Sequence, residues 1–257
     1  RFWVEATGMA EPREKGGLQA TWLGELIFDP DKGMDPYMED VQTLWLIHWK
    51  IATLREQPLF AWDYLFNRWM ESEFTESKIL EEFAREAAKQ PRGLSSITLE
   101  QHFGICLRTY LPGRGRTAGE TEDNLDCPLN ELELIQQVGE REARQGSGRR
   151  EAVFSFRKEE KATLSPELFE WCLLDYWDGL PAENKTLAVS KAASGPGSPG
   201  TIFKIPEPDV YARFSSLDTK SSCLELKESD ALPQVHRLKK VEGRQLLTRA
   251  YARLTHG

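Results

Sequence analysis

The sequence has few of the residues that build metal sites and disulfide frameworks. It contains four cysteines and four histidines in 257 residues. Zinc sites and disulfide scaffolds usually show close ligand spacing or conserved cysteine pairs, and no Cys-x-x-Cys pair occurs here. We therefore expect free, buried thiols in a reducing cytoplasm. The cysteines are Cys106, Cys127, Cys172 and Cys223.

Long apolar runs are also missing. No stretch approaches the roughly 18 apolar residues that a membrane-spanning helix needs, and the first residues show no signal-peptide pattern. No internal repeat of constant period is present, and no Walker sequence ends in Gly-Lys-Ser/Thr. These features predict a soluble, cytoplasmic protein outside the P-loop class.

Acidic residues outnumber basic ones, and the formal net charge is −8. This balance argues against a protein that wraps nucleic acid over its whole surface. The charge is uneven, however: residues 29–86 are rich in acids, whereas 108–116 and 236–253 are basic. Local basic patches can bind phosphate while the total stays negative, although isolated charge runs are often only solvated surface.

The length and composition indicate a globular protein of two or three packed units. Hydrophobic residues make up 40% of the chain, and eight are tryptophan. We predict a mainly α fold with small β-sheets (α+β), built from modules like a winged helix or a helix-turn-helix. The predicted domains are the remainder of an N-terminal winged helix at 1–28, a helical domain with a second helix-turn-helix-like unit at 29–160, and a C-terminal α+β domain at 161–257.

The opening stretch RFWVEATG has the spacing of a helix but no capping residue before it. We expect the front of the winged helix to precede it. The next residues predict a strand, a charged Gly-Gly turn and a second strand, which together form a wing. In this arrangement Phe2 and Trp3 pack inside, and Arg1, Arg13 and Lys15 are free to contact phosphates.

Two helices further along the chain carry clear start signals. Asp40 is placed to cap an apolar helix that contains His48, and this histidine is expected to be a hydrogen-bonded core residue rather than a ligand. Ser165 and Pro166 mark the start of another helix, which Gly179 is expected to end.

A second pair of helices resembles a helix-turn-helix unit. The first begins at Thr75, and the second begins near Ser95 and ends in a basic loop. We expect Arg108, Arg114 and Arg116 to contact phosphate, because glycines between the arginines allow close approach of the backbone. The alternative is a mobile surface loop without a ligand.

Two carboxylates follow this loop. Asp123 and Asp126 are close in sequence, and such a pair can hold a divalent cation for phosphodiester chemistry. An aspartate before a Cys-Pro turn can equally serve as a turn former.

The stretch SGPGSPGTIFK alternates glycine with proline. Backbone amides in such a loop can bind an anion, and we predict a phosphate clamp formed by Gly197, Ser198, Gly200 and Lys204. The alternative is a rigid linker between domains.

The last basic segment, HRLKKVEGRQLLTRAYAR, adds a further predicted contact with nucleic acid through Lys239 and Lys240.

Ten segments, taken in order, carry a resemblance to a known family. The chain resembles a bacterial family long catalogued only as a domain of unknown function, with the SspB-like proteins of DNA phosphorothioation systems as its best-known members. The resemblance covers nearly the whole chain. The segments are RFWVEATG, TWLGELIF, DPYMEDVQTLWLIHWKIA, WDYLFN, EFT, LRTYLP, EDNLDCPLNELELI, LSPELFEWCLLDYW, GPGSPGTIFKI and LLTRAY.

The resemblance implies a longer amino-terminal segment and a defined set of partners. These partners are a cysteine desulfurase, an ATPase and a sulfur-transfer protein, which together replace a non-bridging phosphate oxygen of DNA with sulfur. The SspB-like component is the one expected to nick DNA, and the modification supports defence against phage. One departure occurs where relatives tend to carry an acidic residue, since this chain has His102, Phe103 and Gly104 there.

Two functions therefore remain open, with a protein-only scaffold as a third. The first is a DNA nickase in which Asp123 and Asp126 act as ligands of Mg²⁺ or Mn²⁺, or as a base, while the arginines hold the phosphate. The second is a non-catalytic DNA-binding adaptor that recruits the sulfur-transfer machinery.

Overall fold

The structure is a computed structural model, and two compact units make up its fold. It describes residues 1–91, 93–111, 127–143, 148–181, 186–217, 222–228, 232–239 and 241–252. Unit 1 combines Arg1–Pro58 with Lys158–Gly257, and unit 2 is Leu59–Arg157.

This grouping differs from the three predicted domains, because both ends of the chain belong to one unit. Long-range contacts explain it: the Gln42 side chain donates to the Thr163 carbonyl at 2.7 Å and accepts from the Ser165 amide at 3.0 Å. The Thr43 and Tyr251 hydroxyls are 3.0 Å apart.

The fold is α+β, as predicted, with helices predominating over short antiparallel strands. A π-helix covers Asp63–Arg68 and a 3-10 helix covers Pro128–Leu132. The α-helices are α1 Phe2–Ala6, α2 Trp22–Phe28, α3 Val41–Ala52, α4 Phe60–Trp62, α5 Glu76–Ala87, α6 Ser96–Tyr110, α7 Pro166–Asp178, α8 Val189–Ser194, α9 Pro199–Phe203, α10 Glu207–Ser215 and α11 Gly243–Ala252.

Three small antiparallel sheets accompany these helices. They have the strand orders β1-β2, β3-β5-β4 and β6-β8-β7. The strands are β1 Ala10–Pro12, β2 Leu18–Ala20, β3 Glu73–Thr75, β4 Ile135–Glu142, β5 Arg150–Phe156, β6 Thr186–Ala188, β7 Leu224–Lys227 and β8 Gln234–Arg237.

The first helix of unit 1 corrects two predictions. Phe2 and Trp3 do not pack inside, since they are 58% and 45% exposed. The buried residue of this five-residue helix is Ala6, so the aromatic rings lie on its outer side. Arg1 is not free either, because its Nε lies 2.9 Å from a carboxylate oxygen of Glu5.

The core of unit 1 is an aromatic cluster between α3, α7 and α9. Trp45 and Trp49 of α3 both contact Phe203, with ring centroids 5.6 and 5.5 Å apart. The predicted caps are confirmed: Asp40 accepts a hydrogen bond from the amide at Gln42, and the Ser165 hydroxyl accepts one from Leu168. These caps fix where α3 and α7 begin, and therefore which of their faces enter the core.

Unit 2 packs α5 and α6 against the sheet β3-β5-β4. Thr75 and Ser95 cap the two helices, as predicted. Three aromatic residues from the end of α4 onward are core residues, because Trp62, Phe66 and Trp69 are each no more than 8% exposed.

All four cysteines are free, and three of them are buried. Burial raises the pKa of Cys106 and Cys172 far above the ordinary value, so neither is a reactive thiolate. Across the helices that the structure describes, none combines the length and apolar character required to cross a bilayer.

Candidate nucleic-acid interface

The clearest basic surface of unit 1 lies along α11. A cavity of about 790 Å³ opens there, and three of its lining residues are cationic whereas one is acidic. We call this surface the basic shelf. It consists of Lys239, Val241, Glu242, Arg244, Gln245, Thr248 and Arg249.

The sequence of α11 explains why the charges face outward. Leu246, Leu247, Ala250 and Tyr251 recur at helical spacing and are buried. Arg244 is on the opposite, exposed face, as are Gln245 and Thr248. The helix is held at its far end by the Tyr251 hydroxyl, which meets that of Thr43. The shelf is therefore presented by a fixed helix.

A second cavity of about 600 Å³ adjoins the shelf and shares Lys239 and Val241 with it. We call it the inner cavity. Its lining comes from α7, the end of β8 and the start of α11: Trp171, Leu174, Asp175, Asp178, Arg237, Lys239, Val241 and Gly243.

Arg237 is the most constrained cation of the inner cavity. Its guanidinium lies 5.0 Å from the ring centroid of Trp177, and Nη1 donates to Asp178 at 2.8 Å. The Nε and Nη2 atoms are buried and have no hydrogen-bond partner in the structure as described. The cation–π contact with Trp177 and the ion pair with Asp178 restrain the guanidinium, and two of its donors remain unsatisfied.

The predicted hairpin supplies a second basic feature of unit 1. Strands β1 and β2 pair antiparallel, and Arg13 and Lys15 at the tip are exposed. The turn requires glycine, because Gly16 and Gly17 have φ angles of +86° and +84°. An acidic neighbour, Glu14, is also exposed and reduces the local positive potential.

The helix-turn-helix-like pair places one predicted residue at the surface of unit 2. Arg108 is exposed in the last turn of α6, and one of its Nη atoms would lie 3.3 Å from a Cβ added at Gly104. The other predicted residues of this region, Arg114, Arg116, Asp123 and Asp126, lie outside the described residues, as does Lys240.

The glycine-rich loop does not form the predicted clamp at the surface. Ser198 is fully buried and serves as the N-cap of α9, while Lys204 is 6% exposed and ends that helix. Gly200 is packed so closely that an added Cβ would lie 2.2 Å from the Ala193 carbonyl oxygen. Gly197 has a positive φ of 75°. The glycines therefore serve a tight turn and close packing rather than an exposed anion site.

The burial of Lys204 and His48 favours their neutral forms. Burial lowers the pKa of Lys204 to about 7, and the charge of Lys158 lowers it further. Burial also lowers the pKa of His48 to about 3, and Nε2 of this histidine lies 3.1 Å from the Ile202 carbonyl. A neutral imidazole donating to that carbonyl is the expected core histidine.

Metal binding finds no support in the part of the chain that the structure covers. No group of three or more His, Cys, Asp or Glu residues there is arranged to hold an ion. The predicted ligands, Asp123 and Asp126, fall in the undescribed range 112–126.

Sequence reasoning missed three of the residues that define this surface. Arg237, Arg244 and Trp171 were not selected as site residues, although the first two lie in the segment identified as basic. The usable signal was the spacing of Leu246, Leu247 and Ala250, which predicts a helix with Arg244 outward. Nothing local marks Trp171, because its place depends on the packing of α7 against α11.

Comparison with known proteins gives one family and one fold. The family model described as "Protein of unknown function (DUF4007)" matches residues 1–251. A magnesium ion-bound SspB crystal structure is similar at a TM-score of 0.82 and 23% identity, over 100% of this chain and 75% of that chain. A further SspB crystal structure is similar at a TM-score of 0.78, with the same identity and coverage. No curated protein sequence matches the chain.

Proposed function

The chain belongs to the DUF4007 family of proteins of unknown function, and from its similarity to SspB we propose that it is the DNA-binding component of a bacterial phosphorothioation and anti-phage system. Its fold is that of SspB. The resemblance to SspB-like proteins points to a cysteine desulfurase, an ATPase and a sulfur-transfer protein as partners.

The observation that carries DNA binding is the basic shelf. Lys239 and Arg244 are exposed beside a cavity whose lining has a surplus of positive charge. Lys239 before α11 and Arg244 in its first turn can contact neighbouring phosphates, and each contact releases condensed counterions. A local patch of this kind is compatible with a net charge of −8, because charges beyond about 8 Å are screened at physiological salt.

A binding experiment tests this proposal directly. Fluorescence anisotropy with a labelled DNA duplex is measured for the chain and for the double variant Lys239→Glu with Arg244→Glu, over a series of salt concentrations. Binding should weaken steeply with salt, and the double variant should lose at least tenfold in affinity. The matched control is Lys32→Glu with Lys191→Glu, which changes the net charge equally at exposed positions away from the shelf.

Two results would contradict the proposal. One is the absence of duplex binding at low salt. The other is an equal loss of affinity in the control variant, since this would show a response to net charge rather than to the shelf.

Nicking is a second, finer proposal, favoured by the magnesium ion in the similar SspB structure. In this chain Asp123 and Asp126 are the residues proposed to hold Mg²⁺ or Mn²⁺, and the ion would stabilise charge on the scissile phosphate. The adaptor is the alternative, in which cutting belongs to a partner.

Plasmid relaxation separates the two. Supercoiled plasmid is incubated with the chain and Mg²⁺ or Mn²⁺, with a chelator as control. Relaxation that is lost in both Asp126→Ala and Asp123→Ala supports the nickase. Binding of the plasmid without relaxation supports the adaptor.

A further inference from the structure

The two adjoining cavities differ in the charge of their linings. The basic shelf has Lys239, Arg244 and Arg249 against Glu242, whereas the inner cavity has Arg237 and Lys239 against Asp175 and Asp178. A phosphodiester suits the shelf, because it is an anion. The inner cavity is balanced, so it suits a neutral ligand that both donates and accepts hydrogen bonds.

The polar groups of the inner cavity are placed to meet such a ligand. Arg237 has two donors without a partner in the structure as described, and its plane is held by Trp177. One oxygen of Asp175 accepts a hydrogen bond from Trp49 Nε1 at 2.8 Å, which fixes the orientation of this carboxylate. Fixed donors and acceptors at one site give directional recognition.

The remaining lining is apolar. Trp171, Leu174 and Val241 contribute side chains, and Gly243 packs closely against the indole, since a Cβ there would lie 3.0 Å from Trp171 Nε1. The volume of about 600 Å³ is ample for a planar heterocycle. A flat ligand with polar edges matches these walls better than an aliphatic or a purely anionic one.

We propose that the inner cavity binds an unpaired nucleobase of a DNA strand whose phosphates lie on the basic shelf. This inference rests on the proposed DNA binding and extends it to a substrate class, namely DNA with an unstacked base. The shared residue Lys239 links the two subsites, as the sugar links a base to its phosphate. Arg237 meets acceptor atoms on the edge of the base, and Asp175 meets its exocyclic or ring N–H groups.

The test compares a fully paired duplex with the same duplex containing one bulged 2-aminopurine. The variants are Gly243→Ala, which narrows the cavity, and Arg237→Lys, which keeps the charge but loses the planar set of donors. Gly139→Ala is the matched control, because a Cβ there meets nothing within 4 Å. Affinity, 2-aminopurine fluorescence and the thermal midpoint are measured for each.

The chain should bind the bulged duplex at least fivefold more tightly than the paired one, with a change in 2-aminopurine fluorescence. Gly243→Ala and Arg237→Lys should each remove most of this preference while paired-duplex affinity and the salt dependence stay the same. Gly139→Ala should keep the preference. An unchanged thermal midpoint in Gly243→Ala separates loss of the cavity from misfolding.

Paired-duplex binding with no preference for the bulge overturns this inference and leaves the proposed function intact. Absence of binding to either duplex overturns both. A free deoxynucleoside monophosphate carries the same base, sugar and phosphate, so an excess of it should remove the preference; a preference that persists in this excess would contradict base binding in the cavity.

Discussion

The segment that carries the basic shelf and the glycine-rich loop have similar residue types in the sequence. Their environments in the fold are opposite. Both stretches of sequence combine lysine with glycine, Lys239 with Gly243 and Lys204 with Gly200, and both lysines were predicted to contact phosphate. In the structure Lys239 is exposed, whereas Lys204 is 6% exposed and Ser198 is fully buried. The difference lies in the residues beside the lysine, since Ile202 and Phe203 draw Lys204 into the core.

The comparison teaches that glycine in a loop has two physical uses. At the hairpin tip, Gly16 and Gly17 provide a positive φ in open space. In α9, Gly200 allows two backbone segments to approach where a Cβ would collide with Ala193. Residue type alone does not distinguish these two uses of glycine. The buried apolar residues Ile202 and Phe203, which follow Gly200, indicate that this glycine serves close packing.

The largest expected effect is at Gly200. Gly200→Ala places a Cβ against a backbone oxygen, so we expect a loss of about 3 kcal/mol in the free energy of unfolding. Gly104→Ala is the control, because its Cβ meets only the flexible end of Arg108, and alanine should stabilise α6 by about 1 kcal/mol. Urea denaturation measures both. Equal stability of the Gly200 variant and the wild type would show that the loop is not a packing element.

Next in size is a direct contrast between the two lysines. Lys239→Ala should reduce the slope of log affinity against log salt by about 1, with a loss of about 1–2 kcal/mol in duplex binding. Lys204→Met should leave the slope unchanged, because this buried lysine meets no phosphate. Anisotropy at four salt concentrations gives both slopes. A reduced slope for Lys204→Met would support the predicted phosphate clamp and contradict the contrast between the two lysines.

The buried region should also respond to pH. His48 has a folded-state pKa of about 3 against an ordinary value of 6.5, so the unfolded chain binds the proton first as pH falls. Stability should therefore decrease from about pH 6.5 toward pH 3, by at most about 1.4 kcal/mol per pH unit for this group. His48→Gln keeps a donor for Ile202 and should flatten this part of the profile. An identical profile for the variant would show that His48 is not its cause.

The smallest effect is expected at the hairpin. Replacing Arg13 and Lys15 together with alanine should weaken duplex binding by about 0.5–1 kcal/mol, because both are exposed beside Glu14. The thermal midpoint should not change. Duplex affinity of the double variant is compared with that of Lys239→Ala, and a larger loss at the hairpin would move the main contact away from the shelf.

Local signals predicted much of the fold. Asp40, Thr75, Ser95 and Ser165 were all identified as helix caps, and each accepts a backbone hydrogen bond at the start of its helix. These features depend on a few adjacent residues, which explains why one sequence suffices to find them.

Features that depend on distant residues were not predicted. Strand β6 pairs with β8 and places Thr186 opposite His236, and no local sequence pattern predicts this pairing. The inner cavity likewise requires α7 and α11 to meet. Of the candidate site, the exposed positions Arg13, Lys15, Arg108 and Lys239 were identified in advance, whereas Arg237 and its stacking on Trp177 became apparent only with the packing.

The discontinuity of unit 1 has a consequence for the order in which the protein is made. Its two halves are separated by the 99-residue unit Leu59–Arg157, and the Thr43–Tyr251 contact joins α3 of the first half to α11 of the second. During synthesis, the first segment of unit 1 therefore leaves the ribosome before its second segment has been made, whereas the inserted unit 2 can already fold. A prematurely terminated chain would contain the β1–β2 hairpin but lack the basic shelf. The core-facing side of α3 would then be exposed to the proteases and chaperones of the cell.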